Sequence, residues 1–172
     1  MLQEPYLFAK TIAENIGLAH TDCRHIEVVE AARTAGLHEV VSSFHHGYDT
    51  LLGERGVTLS GGQRQRTAIS QMLVRPRPIL VFDDALSAVD NKTDALIRRS
   101  LNEKARGTLI LISHRLSSLS QADVLFVLDQ GKLVQTGTPE QLARVPGLYR
   151  RMAELQNALL EDLVSESRSK GA

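Results

Sequence analysis

Two short, near-continuous apolar runs, ILVF at 79–82 and TLILIS at 108–113, constrain this chain more than any other feature. Neither alternates polar with apolar side chains, so each reads as a buried strand of the kind found in parallel sheets. Between them NKTDALIRRSLNEKA, at 91–105, has helical periodicity. Strand, helix, strand in that order is a crossover unit and places the chain in the α/β class.

The rest of the chain is organised around that unit. VLFVLD at 124–129 and KLVQTG at 132–137 are separated only by Gln130 and Gly131, which is hairpin spacing with glycine in the turn. The first half is helical. TIAENIGL at 11–18 opens on a cap at Thr11, and IEVVEAARTAGL at 26–37 sets Ile26, Val28, Val29 and Ala32 at helical spacing before Gly36 stops it. SFHHGYDTLLGERGVT at 43–58 reads as a loop leading to Ser60 and a helix over 62–74, which Pro76 and Pro78 end. From Pro139 onward the tail is helical and amphipathic, then charged and frayed.

Bulk properties narrow the function. At 172 residues and 42% hydrophobic the chain can bury a core. Its 20 basic and 20 acidic residues cancel, so no long-range field draws it to nucleic acid or to an anionic membrane. The single cysteine, Cys23, excludes an internal disulfide framework, suits a reducing compartment and is read as chemically inert. No apolar run approaches the roughly 20 residues that span a bilayer, and MLQEPYLFAK lacks the apolar stretch of a secretion signal. Any work at a membrane needs spans supplied from elsewhere.

Two segments carry chemistry. Asp83 and Asp84 follow the first apolar run, at the C-terminal end of a strand, where open α/β sheets bind ligands and where a carboxylate commonly holds magnesium against nucleotide phosphates. Alone that pattern is weak, because many strands end in Asp for turn or capping reasons. In LSGGQ at 59–63, Ser60 caps a helix opened by Gly61 and Gly62, so bare backbone N–H groups and the positive end of the helix dipole face outward to meet a phosphate. His114 directly follows TLILIS and is therefore expected on the same sheet edge as Asp83. His20, His25, His38, His45 and His46 lie in helix or loop stretches without carboxylates at metal-ligand spacing, and no metal role is expected of them.

LSGGQRQR and ILVFDDALSAVD, in that order, resemble the signature motif and the Walker B strand with its D-loop in the ATP-binding cassette (ABC) ATPases. The resemblance implies the C-terminal part of a RecA-like P-loop NTPase sheet plus the ABC helical subdomain, with the phosphate-binding loop and its strands missing. Residues 1–75 would hold the Q-loop and helical subdomain, 76–137 the Walker B, D-loop and H-loop part of the core, and 138–172 the C-terminal helices. Gln3 is similar to the Q-loop glutamine that reaches metal and attacking water, and His114 to the switch histidine. By the same resemblance Asp83 and Gln3 serve Mg2+, Asp84, His114 and Gln3 act in catalysis, and Asp90 closes the nucleotide-contacting D-loop. Ser60, Gly61, Gly62 and Gln63 would grip the γ-phosphate of ATP held by a second subunit. Glu54, Arg55 and Gly56 resemble the loop that exporters carry before the signature to touch the coupling helices of their transmembrane domains. The implied cofactors are ATP and Mg2+. The implied partners are a second ABC subunit and exporter transmembrane domains, with no nucleic acid, at the cytoplasmic face of the plasma (inner) membrane.

Two departures qualify this. Nothing matches G-x-x-x-x-G-K-[ST], and the only Gly-Lys pair, Gly131-Lys132, is followed by Leu133. The expectation is a fragment beginning at the Q-loop, inactive alone. Asp84 also stands where active family members carry a glutamate that polarises water, as in the degenerate half of a heterodimeric multidrug-type exporter. Two alternatives remain at this stage: a non-enzymatic remnant that binds a partner cassette or a truncated pseudogene product, and a non-transport ABC ATPase, which the GERG loop and compact spacing disfavour.

Overall fold

A computed structural model describes residues 5–20, 22–53, 59–86, 89–104 and 107–169. They fall into two compact units, Met1–Ser113 and His114–Ala172.

The first unit begins with helices. α1 (Ile12–Gly17) starts at Thr11 with a capping box: the Thr11 hydroxyl accepts from the Glu14 amide at 3.1 Å, and the Glu14 carboxylate accepts from the Thr11 amide at 2.8 Å. The bond from the Thr11 amide, and after it the Thr11 hydroxyl beside the carboxylate, holds the Glu14 carboxyl below the usual glutamate range. α2 (His25–Thr34) ends as expected at Gly36, whose φ of 64° is the left-handed conformation glycine adopts without strain. The Leu37 amide then donates to Ala32 and the Gly36 amide to Arg33, the paired bonds of a Schellman cap.

The buried stripe of α2 is Val28, Ala31 and Ala32, whereas Ile26, expected on it, is 54% exposed. Ile26 lies in the first turn, about 200° around the helix from Val28, which turns it away from the core. A further helix, α3 (His38–Ser42), forms where no separate element was expected. Within the expected loop, Gly47–Asp49 makes a 3-10 turn that buries Tyr48, with the phenol oxygen 2.9 Å from Nδ1 of His38. Residues 10–12 pair with 50–52 through Ile12 amide to Thr50 carbonyl and Leu52 amide to Lys10 carbonyl. α4 (Gly61–Leu73) follows, and Leu7, Ile12, Ile16, Leu37, Val41 and Leu52 pack with Leu59 and Val74 into one core.

β1 (Ile79–Asp83), α5 (Asn91–Lys104) and β2 (Thr108–Ile112) form the predicted crossover. The strands are parallel, in register from Ile79 opposite Thr108 to Asp83 opposite Ile112. Phe82, Leu80, Leu109 and Leu111 face Ile69 and Met72 of α4 and Ile97 and Leu101 of α5. The expectation of strands buried on both faces is corrected here, because Ile79, Val81, Ile110 and Ile112 on the opposite face are 39–59% exposed. Both helices that pack on the pair meet the Phe82 face, so the other face has no cover among the described residues of this unit. Gly107 enters β2 so close to the Pro78 carbonyl that a Cβ there would lie 2.2 Å from the oxygen.

In the second unit, α6 (Leu116–Leu119) precedes β3 (Leu125–Asp129) and β4 (Lys132–Gly137), an antiparallel pair. Its turn has Gln130 at φ 46° and Gly131 at φ 75°, the doubly positive pattern of a type I′ turn. α7 (Pro139–Arg144) starts from a Thr138–Gln141 capping box with Pro139 in the first turn. α8 (Leu148–Ser169) is separate, so the tail is two helices broken at 145–147, where Pro146 and Gly147 interrupt the pattern. Leu125, Leu142 and Tyr149 are the core of this unit. No helix among the described residues is long and apolar enough to cross a membrane.

Candidate functional site

The N-terminus of α4 is built by its own side chains. Ser60 has extended backbone, its hydroxyl accepts from the Gln63 amide at 3.2 Å, and the Gln63 side-chain oxygen accepts from the Ser60 amide at 2.9 Å. The first turn carries no acidic side chain, so the positive end of the helix dipole is not offset locally. Gly61 is exposed, and a Cβ there would meet nothing among the described residues within 4 Å. The surface around Gly61 is therefore open to an approaching group, while Ser60 and Gln63 fix its shape.

At the end of β1 the two carboxylates part company. Asp83 is exposed, and Asp84 is half-buried with φ at 45°, a left-handed turn that Asp tolerates better than most residues. The Asp84 amide donates to the Ile112 carbonyl at 2.9 Å, which ties the turn to the end of β2. Ala85 and Leu86 then bury themselves beside Phe82, so the chain leaves the strand along a fixed path.

Asp83 suits magnesium chemically, being an exposed hard oxygen donor at a strand end. No group of three or more His, Cys, Asp or Glu side chains among the described residues forms a metal cage. Magnesium held by one or two carboxylates with substrate phosphates needs none.

Asp90 is exposed, and its carboxylate accepts from the Thr93 amide at 3.0 Å, capping the start of α5. His114 is exposed in the second unit, where its carbonyl accepts from Nε2 of Gln156 at 2.8 Å. Gln3, Glu54, Arg55 and Gly56, and Ser87 and Ala88 of the expected D-loop, lie outside the described residues.

Two residues of α4 that carried no expectation hold the segments together. Gln65, 3% exposed, donates from Nε2 to the carbonyl of Ala85. Arg66 donates from Nη1 to the carbonyl of Gly36 at 2.9 Å. Gln65 was detectable in principle: a glutamine one turn before Ile69 sits on the core stripe of α4, and a polar group there needs a partner.

The chain is similar to known proteins along most of its length. The chain is 42% identical over 161 residues to "ABC transporter B family member 16" of Arabidopsis thaliana, covering 93% of this chain and 13% of that protein. It is 44% identical over 156 residues to the "Mitochondrial potassium channel ATP-binding subunit" of Xenopus tropicalis, covering 90% of this chain and 23% of that one. Among solved structures, "Structure of a bacterial Atm1-family ABC exporter with ATP bound" superposes with a TM-score of 0.87 at 40% identity, over 91% of this chain and 28% of that one. The chain thus spans less than a third of the length of each of these relatives. The ABC transporter family profile matches residues 1–87, which include the capped start of α4 and the Asp83-Asp84 strand end, and the chain belongs to that family.

Proposed function

We propose that this chain supplies the signature, Walker B, D-loop and H-loop residues of an ABC exporter's nucleotide-binding domain, so that ATP binding and hydrolysis drive export. One observation carries the reading: α4 opens on a Ser60–Gln63 capping box, with no acidic side chain in its first turn and open space at Gly61 among the described residues. In this reading backbone N–H groups at 61–63 close on the γ-phosphate of ATP held by a second ABC subunit. Asp83, with Gln3, holds Mg2+, whose bound form neutralises phosphate charge. Asp84 and His114 orient the attacking water, and Asp90 closes the D-loop. Residues 1–75 act as the helical arm, 76–137 as part of the catalytic core and 138–172 as its helical close, on the cytoplasmic face of the plasma (inner) membrane.

Asp84 in place of the family's glutamate supports pairing with a more active partner in a heterodimer. The missing G-x-x-x-x-G-K-[ST] spacing supports a chain that does not hydrolyse ATP alone.

The test is Gly61→Asp in the assembled exporter. A carboxylate in that open space would repel phosphate without touching the core. ATP hydrolysis should fall to the level of a nucleotide-free control, and unchanged hydrolysis would overturn the reading.

A further inference from the structure

We propose that Gln65 is a positioning residue that ties the phosphate-facing end of α4 to the turn carrying Asp84. The inference rests on the function proposed above and goes beyond it by naming a residue that touches no ligand. Gln65 and Ala85 are 3% and 1% exposed, and the Gln65 side chain donates to the Ala85 carbonyl across 20 residues of sequence. No solvent competes for that carbonyl, and a buried carbonyl deprived of its donor is costly.

The geometry gives this bond a role beyond filling the core. Asp84 lies between two fixed points, its own amide on Ile112 and the next carbonyl on Gln65. Between them φ at 45° sets the direction in which its carboxylate leaves the strand. Gln65 is on the same rigid helix as the Ser60–Gln63 cap, within two turns of it. A shift of the α4 N-terminus on meeting phosphate is therefore passed through one buried hydrogen bond to the backbone of Asp84. In a dimer that bond joins the surface serving one nucleotide to the carboxylate serving the other.

Gln65→Met keeps length and volume while removing the donor. The test is steady-state hydrolysis by the assembled exporter, with the partner's own catalytic glutamate replaced by glutamine, comparing Gln65→Met, Asp84→Asn and the double variant. Displacing a catalytic group by about 1 Å can cost on the order of a hundredfold. Gln65→Met is therefore expected to lower kcat by about tenfold or more with KM for ATP little changed, and to add nothing once Asp84 is Asn. An unchanged kcat, or equal losses in both backgrounds, overturns the inference while leaving the function standing. If Asp84→Asn itself changes nothing, both fall.

Should the Met variant fail to assemble, Gln65→Asn, a donor one methylene short, is measured in the same way. Hydrogen exchange on the 172-residue chain supplies an independent readout. The Asp84 amide should lose protection in Gln65→Met while the amides of α2 keep theirs, and equal loss in both would mark Gln65 as merely structural.

Discussion

Arg66 of α4 donates to the carbonyl of Gly36, 2.9 Å away, and so closes the C-terminus of α2 with a cation. The same guanidinium donates from Nε to the Gly62 carbonyl at 3.3 Å. A planar fork serves both acceptors at once, which an ammonium does less well. The favourable interaction of a cation with a helix C-terminus adds to the hydrogen bond.

Arg66→Met keeps most of the stem and removes every donor. Hydrogen bonds made by charged groups contribute about 1.5–3 kcal/mol, and the loss here should fall in that range. Urea unfolding should show a lower midpoint with an unchanged slope, and Arg66→Lys should recover only part of it. An unshifted midpoint would show that water replaces the guanidinium at Gly36 without cost.

Two glycines should respond oppositely to the same change. At Gly107 an added Cβ meets the Pro78 carbonyl oxygen at 2.2 Å, and that carbonyl also accepts the Thr108 amide that starts β2. Backbone cannot swing aside, so Gly107→Ala should cost about 3 kcal/mol. At Gly61 the space is open, so Gly61→Ala should be neutral or stabilising by up to about 1 kcal/mol. Thermal melts of the two variants would reveal the contrast, and similar melting temperatures would contradict it.

The acid limb of stability should report the Glu14 cap. Hydrogen bonds from the Thr11 amide and then the Thr11 hydroxyl lower the Glu14 carboxyl in the folded chain. The folded pKa lies below the unfolded value of about 4.3. This contribution is therefore complete above that value and lost as pH falls through the folded one. Glu27 and Glu140, lowered by bonds at the starts of α2 and α7, act in the same direction. Between pH 5 and 3, urea midpoints of Glu14→Gln should fall less than those of the parent chain. Parallel curves would remove Glu14 from the acid transition.

Much of this architecture is legible in the sequence alone. The apolar runs at 79–82 and 108–113 gave the parallel pair, Gly36 the stop of α2, and Gln130-Gly131 the hairpin, because each depends on local chemistry. What stayed hidden depends on distant neighbours. The composition of β1 suits two-sided burial, yet Val81 is exposed because, among the described residues of this unit, both packing helices lie on the Phe82 face. The capped opening of α4 could be read from Ser60 and Gln63, while the bond from Gln65 to Ala85 spans an interval that no local pattern encodes.

The isolated chain should bind Mg-ATP weakly, because the proposed phosphate contacts at 61–63 close on a nucleotide held by another subunit. Calorimetric titration should give a dissociation constant weaker than about 1 mM, which corresponds to roughly −4 kcal/mol. Micromolar affinity would mean that this chain carries a nucleotide site of its own.

The last prediction concerns the conformation of Asp84 as much as its reach. With φ at 45° it occupies the left-handed region, which short polar side chains visit most readily among residues other than glycine. Asp84→Glu carries the carboxylate one methylene further towards a water lined up behind the γ-phosphate, and gives up part of that conformational fit. The two effects should move different observables in opposite directions. Stability of the 172-residue chain should fall by about 1 kcal/mol, the scale of left-handed strain. In the assembled exporter, with the partner's catalytic glutamate changed to glutamine to silence its site, hydrolysis should rise by about tenfold, or roughly 1.4 kcal/mol off the barrier. That gain is modest beside the hundredfold or more that a positioned base can contribute. Flat turnover with both nucleotides bound would mean that carboxylate reach does not limit this site. The proposal of a degenerate half would then have to be abandoned even though Asp84 differs from the family's glutamate.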